Sequence, residues 1–309
     1  MRVTALVRTR NAKRDLSNLI SDLRRQEGVD LSILIVDNCS DDGTLELARE
    51  LADTVIQISD QEWSWGRALN MGVANVHDEN DFVLVVSSDV RMFETRCVAE
   101  LADSFHGHPL LGAVYPRQVP RKNAPLLEIG RLRSQFPTRH IGFQVNKDQG
   151  KFDSTGAAVS IVMSNSCGLY RLKALREIPF REKIPAEEGP WAEEATANGW
   201  HFYYNGSISV AHSHKEPANR SIIRKFEFEK EYRRRKGSSH WPPHLLWGVK
   251  ALAKETLSRM TAARRLKDVP WQKKFSGLVE IFPIAVWVAI VLIGLRCGFE
   301  LSDLRKKFW

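Results

Sequence analysis

Short unbroken apolar runs alternate along this chain with stretches of helical spacing. Residues 82–86 read Phe-Val-Leu-Val-Val and lead through Ser87 and Ser88 to a lone carboxylate, Asp89, and then Val90. A short continuous run rich in β-branched residues predicts a strand buried on both faces, the central kind found in parallel sheets. Residues 3–7, 31–36 and 54–58 predict three earlier strands. Between them Leu16, Leu19, Ile20 and Leu23 share one face of a helix over 15–26. A second helix follows over 45–51, and Leu69, Val73 and Val76 mark a third over 66–76. Strands alternating with helices at this spacing predict right-handed βαβ units, hence an α/β fold with a mainly parallel, Rossmann-like sheet flanked by helices.

Further along, the pattern predicts a helix over 95–105 and a strand over 110–115. Residues 117–154 are rich in Pro, Arg, Gln and Lys with weak periodicity, and predict a long functional or mobile connection. Residues 159–163 are apolar again; 170–178 predict a short helix, and 193–198 a helix that Gly199 closes. Residues 201–204 and 207–211 predict two short strands. No G-x-G-x-x-G follows the first strand and no G-x-x-x-x-G-K-[ST] occurs, which argues against a dinucleotide site and a P-loop NTPase.

Charge divides the chain. Residues 216–309 carry 20 Lys+Arg against 9 Asp+Glu, whereas the preceding 215 residues carry 25 against 28. Such asymmetry suggests contact between the C-terminal third and an anionic surface, either nucleic acid or acidic lipid. That third predicts a charged helix over 223–235, an amphipathic helix over 244–265, and an uncharged apolar segment over 281–295. The last is short for a full span, which needs about 20 apolar residues. Its basic flanks suit a helix lying in an anionic leaflet; a buried core helix is the competing reading. No nucleic-acid-binding module is visible, so lipid explains the basic third better. The expected division is a catalytic domain over 1–215 and a basic helical, membrane-associating extension over 216–309. Cys39, Cys97, Cys167 and Cys297 form no metal or disulfide spacing and read as reduced thiols of a cytosolic protein. The first ten residues are too polar for a signal peptide.

Candidate chemistry gathers at strand ends and loops. In open α/β sheets ligands bind beyond the carboxyl ends of strands, where Asp37 and Asp89 fall. A turn aspartate capping the next helix is the competing reading for each. Glu187 and Glu188 precede a helix, where acidic residues also serve the helix dipole. His212 and His214 point the same way if the segment is extended. Carboxylate plus imidazole suits Mg²⁺ or Mn²⁺ with positions left for phosphate oxygens.

Several stretches resemble a known family. Val36-Asp37-Asn38-Cys39-Ser40-Asp41-Asp42-Gly43-Thr44 resembles the VDNxSxDGT signature of family 2 glycosyltransferases of GT-A fold. Trp63-Ser64-Trp65-Gly66-Arg67-Ala68-Leu69-Asn70-Met71-Gly72 is similar to the aromatic-Ser-aromatic-GRxxNxG stretch of their bacterial rhamnosyltransferase branch. Ser87-Ser88-Asp89-Val90 falls where that family has its Asp-x-Asp or Gln-Asp element. Ser164-Asn165-Ser166 and Ala186-Glu187-Glu188 match its NN/NS and ED segments, and Val210-Ala211-His212-Ser213-His214 its closing xxHxH. The matches run in the family's order over residues 1–215. In two places the chain departs: Ser87 stands for the first aspartate of the metal motif, and Glu188 for the aspartate of ED.

The resemblance implies an inverting glycosyltransferase that moves a sugar from a nucleotide-sugar to a saccharide or lipid-linked acceptor at the cytoplasmic face of the inner membrane. dTDP-rhamnose is the donor suggested by residues 63–72, with UDP- and GDP-sugars open. Asp37 would bond the pyrimidine, with main chain near Thr9 framing the base. Arg67, Asn70 and Ser88 would line the donor side. Asp89 would bind Mg²⁺ or Mn²⁺, with His212 or His214 completing the metal site. Glu188 would be the catalytic base, with Glu187 as the alternative. The C-terminal helices could pair in a homodimer. Two other readings stand beside this one: a catalytically silent nucleotide-sugar-binding scaffold, and a nucleic-acid-binding protein using the basic third.

Overall fold

The computed structural model describes residues 1–122, 124–138, 140–146, 150–153, 163–182 and 187–213. In chain order they begin with β1 (Arg2–Thr9), α1 (Lys13–Arg24), β2 (Asp30–Asp37), α2 (Thr44–Leu51), β3 (Thr54–Gln57), α3 (Trp65–Ala74) and β4 (Phe82–Ser87). Next come α4 (Cys97–Asp103), β5 (Leu111–Val119), α5 (Leu126–Gln135), β6 (Ile141–Asn146) and β7 (Gly150–Asp153). β8 (Cys167–Arg171), α6 (Leu172–Glu177), α7 (Glu188–Ala197) and β9 (His201–Ala211) follow. Met1–Val119 and Gln135–His212 form one unit; Pro120–Ser134 and Ser213–Trp309 form a second. The whole sheet lies in the first.

Among the described residues the sheet has nine strands in the order β3-β2-β1-β4-β8-β5-β9-β6-β7. β3, β2, β1 and β4 are mutually parallel, the Rossmann-like half that the apolar runs predict. Alternation sorts their side chains. Val3, Ala5 and Val7 of β1 share a core cluster with Phe82, Leu84 and Val86 of β4 and with Leu16, Leu19 and Leu23 of α1. Leu6 points to the opposite face, where α3 approaches so closely that a Cβ on Gly72 would fall 2.2 Å from Leu6 Cδ1. Both faces of β1 and β4 are therefore covered, which explains why their sequences do not alternate with polar residues. Burying each Leu or Val contributes about 1.5–3 kcal/mol.

Three expectations need correction. Tyr170 lies in a strand, not a helix: β8 runs antiparallel between β4 and β5, and the helix starts only at Leu172. Residues 117–154 are not one long connection, since α5 and the antiparallel pair β6–β7 lie within them. The two strands expected near 201–211 are one, β9, which is parallel to β5 with a register shift between Pro116 and Arg117. The apolar run at 159–163 falls almost wholly outside the described residues, as do His214 and everything expected of 216–309. Among the described residues no helix is long and apolar enough to cross a membrane. Cys39, Cys97 and Cys167 are free thiols, and burial pushes Cys97 up to about 12.

Candidate active site

The end of β4 turns at once. Val90 N–H donates to the Ser87 carbonyl at 3.0 Å, and Ser88 and Asp89 sit half-buried in that turn. Arg91 then pairs with Ala211 at the end of β9: each N–H donates to the other's carbonyl at 2.9 Å. This bridge sets Asp89 beside His212, with Asp89 Oδ1 3.6 Å from His212 Nε2. On the other side of the ring, His212 Nδ1 lies 2.9 Å from Gln118 Oε1 in β5. The Gln118 amide thus holds one ring nitrogen, and Nε2 is the one on the carboxylate side. A carboxylate and an imidazole thus face one another, residue types that suit a divalent cation. Among the described residues no group of three or more His, Cys, Asp or Glu could hold a metal.

Glu187 and Glu188 have different surroundings. Glu187 is 2% exposed; Arg8 Nη1 lies 2.7 Å from its Oε1, and Asn165 Nδ2 donates to the same atom at 3.0 Å. Tyr170 O–H in turn donates to Asn165 Oδ1. The Tyr170 phenol titrates well above its ordinary value, first through burial and then through the nearby carboxylates of Glu188 and Glu187. Glu188 is the first residue of α7 and is half-buried. Successive helical residues point about 100° apart, so the two carboxylates meet different surroundings. α7 itself is anchored by Trp191, fully buried, whose indole N–H donates to the Ile178 carbonyl at 2.6 Å.

Arg8 also donates to the Trp65 carbonyl at 3.0 Å, tying β1 to the start of α3. That helix explains the spacing of its motif. Ser64 caps it, its Oγ accepting from Arg67 N–H at 3.2 Å. A Cβ on Gly66 would fall 2.3 Å from the Arg181 carbonyl oxygen, so backbone meets backbone there. Asn70 grips Phe180 on both sides: its Nδ2 donates to the Phe180 carbonyl at 2.8 Å and its Oδ1 accepts the Phe180 N–H at 2.9 Å. Its amide is therefore used by backbone rather than turned to a ligand. Arg67 is half-buried, 3.7 Å from Glu62 and 3.9 Å from Glu182. Trp65 is also exposed, at 48%.

Asp37 ends β2 and is fully buried. Its Oδ2 accepts Ser40 N–H at 3.0 Å and its Oδ1 accepts Ser40 Oγ–H at 2.5 Å, which shapes the turn into α2. The chain makes that turn with Cys39 at φ +47° and Gly43 at φ +86°, left-handed values that glycine adopts without strain. Thr9 lies opposite Asp37 in the β1–β2 register, and its buried hydroxyl has no hydrogen-bond partner among the described residues. Thr9 ends β1 and Asp89 follows β4, with His212 beside Asp89 and Glu187 paired to Arg8 of β1. Arg8, Gln118 and Asn165 received no role from the sequence. Arg8 had one signal, a charge at the end of an otherwise apolar strand.

A parallel half-sheet followed by a crossed antiparallel strand, with an acidic turn after the central strand, is the GT-A glycosyltransferase architecture. The chain belongs to glycosyl transferase family 2, whose sequence model matches residues 4–178, and it is a glycosyltransferase. It is 25% identical over 230 residues to the O-antigen chain rhamnosyltransferase RfbN of Salmonella typhimurium, covering 74% of this chain and 71% of that protein. It is 27% identical over 207 residues to the O-antigen chain rhamnosyltransferase WbaN of Salmonella anatum, covering 66% of this chain and 63% of that one. Among solved structures, the mannosyltransferase PcManGT of Pyrobaculum calidifontis, in complex with GDP-Man and Mn²⁺, aligns with TM-score 0.57 at 15% identity. That alignment covers 95% of this chain and 80% of PcManGT. Residues 1–349 of S. aureus TarS in complex with UDP-GlcNAc align with TM-score 0.55 at 16% identity, covering 97% and 93%. At these identities the structural likeness establishes the fold.

Proposed function

We propose that this glycosyltransferase moves rhamnose from a nucleoside diphosphate sugar to a saccharide or lipid-linked acceptor, with inversion, during synthesis of a cell-surface polysaccharide. The observation that carries the reading is the Asp89–His212 pair with Gln118 fixing the ring. The choice of sugar rests on the two O-antigen rhamnosyltransferase relatives and on the Trp63–Gly72 motif.

The donor set fits a divalent cation, and the Mn²⁺ complex of PcManGT supports the same reading. Asp89 and His212 would hold Mg²⁺ or Mn²⁺, with His214 a further candidate ligand. When bound, the ion offsets the negative charge that grows on the departing diphosphate. Glu188 accepts the proton of the acceptor hydroxyl as that oxygen attacks the anomeric carbon and the bond to the diphosphate breaks. One base and one displacement invert the anomeric centre. Glu187 is ion-paired and buried, and holds the start of α7 instead. Thr9 has hydrogen-bonding capacity for the nucleotide, and Asp37 shapes the turn beside it. Arg67 and the exposed face of Trp65 border the sugar side. The basic residues of 216–309 hold the enzyme at the anionic cytoplasmic face of the membrane, which sedimentation with anionic liposomes tests.

The decisive assay is transfer from a panel of dTDP-, UDP- and GDP-sugars with Mg²⁺ or Mn²⁺ present and with chelator. Turnover with dTDP-rhamnose that chelator abolishes is expected. Glu188→Gln should lower kcat by about 10²–10⁴-fold, the usual contribution of a positioned base, at unchanged urea midpoint. Full activity in that variant removes Glu188 from the role.

A further inference from the structure

Asp22 is a carboxylate in the last turn of α1, 0% exposed, on a helix whose buried face is otherwise apolar. It accepts four hydrogen bonds. Arg91 Nε reaches its Oδ2 at 2.6 Å and Arg91 Nη2 its Oδ1 at 3.1 Å; Met92 N–H reaches Oδ2 at 3.0 Å and Arg25 Nη2 reaches Oδ1 at 2.6 Å. Three of these four bonds hold residues 91 and 92. Asp89 lies two residues before Arg91, and the backbone of Arg91 is doubly bonded to Ala211, the residue before His212.

The two facing donors therefore come from segments more than a hundred residues apart, and their spacing depends on the Arg91–Ala211 bridge. The bridge is tied to the core by a bidentate Arg–carboxylate fork, the most geometrically restrictive ion pair available to side chains. A clamp serving stability alone would be matched by apolar packing of the same volume, since a buried ion pair carries a desolvation penalty. What apolar packing cannot do is fix the direction of residue 91 to within a hydrogen bond.

We propose that Asp22, acting through Arg91, is a positioning residue that sets the Asp89–His212 spacing, so that divalent-cation affinity depends on it although it lies outside the site. The inference rests on Asp89 and His212 being the cation ligands, as proposed above. Partners that orient metal ligands typically change affinity by 10–100-fold when removed.

The test is Mn²⁺ titration of the full chain by electron paramagnetic resonance, in the presence of a nucleoside diphosphate, alongside urea unfolding. Asp22→Asn keeps the size of the side chain and can still accept from Met92, and Arg91→Lys keeps a cation without the fork. Each should weaken Mn²⁺ binding by about tenfold. Leu19→Ala, a core truncation on the same helix, supplies the control: it should lower the urea midpoint at least as much and leave Mn²⁺ affinity within twofold. Mn²⁺ affinity within twofold of wild type in both Asp22→Asn and Arg91→Lys overturns the proposal, as does equal weakening in Leu19→Ala. Absence of Mn²⁺ binding to the wild type overturns the cation reading and this inference with it. Wild-type binding with unaffected variants overturns this inference alone.

Discussion

Replacing Arg8 by Met isolates the buried pair beneath the candidate base. The substitution keeps most of the aliphatic stem and removes the guanidinium 2.7 Å from Glu187 Oε1. Glu187 is 2% exposed and Arg8 15%, so solvent screens the pair weakly. Removing one partner of a buried pair costs about 3–5 kcal/mol, because the other charge stays buried without compensation. Asn165 still donates to Glu187, which places the expected loss near the lower end, about 3 kcal/mol. With a urea slope of about 2–3 kcal/mol per molar, the midpoint falls by about 1 M. Glu187→Gln alone should cost less, because Arg8 keeps its bond to the Trp65 carbonyl. The double variant Arg8→Met/Glu187→Gln should recover at least about 1 kcal/mol relative to the sum of the singles, a coupling within the range for residues in direct contact. Urea unfolding followed by tryptophan fluorescence reads all four proteins. A loss below about 1 kcal/mol in Arg8→Met, or no coupling in the cycle, refutes the reasoning. Arg8 would then be a surface cation, and Glu187 would be open to a catalytic role.

Three further outcomes are expected. Gln118→Leu removes the acceptor that holds His212 Nδ1, and should weaken Mn²⁺ binding by about tenfold, read by isothermal titration. Asn70→Ala loses both bonds to Phe180 and should cost about 2 kcal/mol, read as a shift in urea midpoint; an unchanged midpoint refutes it. Burial pushes Asp22 up, but its bonds to Arg91, Met92 and Arg25 outweigh this and hold it below its ordinary 3.8. Its contribution is therefore complete above pH 3.8 and disappears as pH falls from there through its lower folded value. The stability gap between wild type and Asp22→Asn should close over that acid range; a gap that widens on acidification contradicts the sign.

The parallel half was legible because its physics is local. Residues 33–36 and 82–86 have apolar side chains at every position, and only a strand covered on both faces needs that. β8 was not legible for a reason that also concerns coverage. Cys167-Gly168-Leu169-Tyr170 is as apolar as the turn of α6 that follows it, and only pairing with β4 and β5 decides that Tyr170 is extended. The candidate site divides in the same way. Asp89, Glu188 and His212 could be picked out by residue type and order along the chain. The partners that define their chemistry could not: Gln118 meets His212 across 94 positions, and Asn70 meets Phe180 across 110. The glycosyltransferase motif over 63–72 was recognisable by its spacing, but its glycines and Asn70 hold backbone, a role that spacing does not disclose. Asp22 had no signal beyond being an acid near an apolar face.

The antiparallel insertion of β8 has a consequence for how the protein is made. β4 ends at Ser87, and the strand that covers its free edge begins only at Cys167, 80 residues later. At about 5–20 residues per second, a nascent chain on the ribosome presents an uncapped β4 edge for roughly 4–16 seconds. That edge is Phe-Val-Leu-Val-Val-Ser, uncharged and free of proline, the composition most prone to pair with a neighbouring copy. A strand buried inside the finished sheet is therefore the point in biosynthesis where chaperone capture or slower expression should most improve the yield of soluble enzyme.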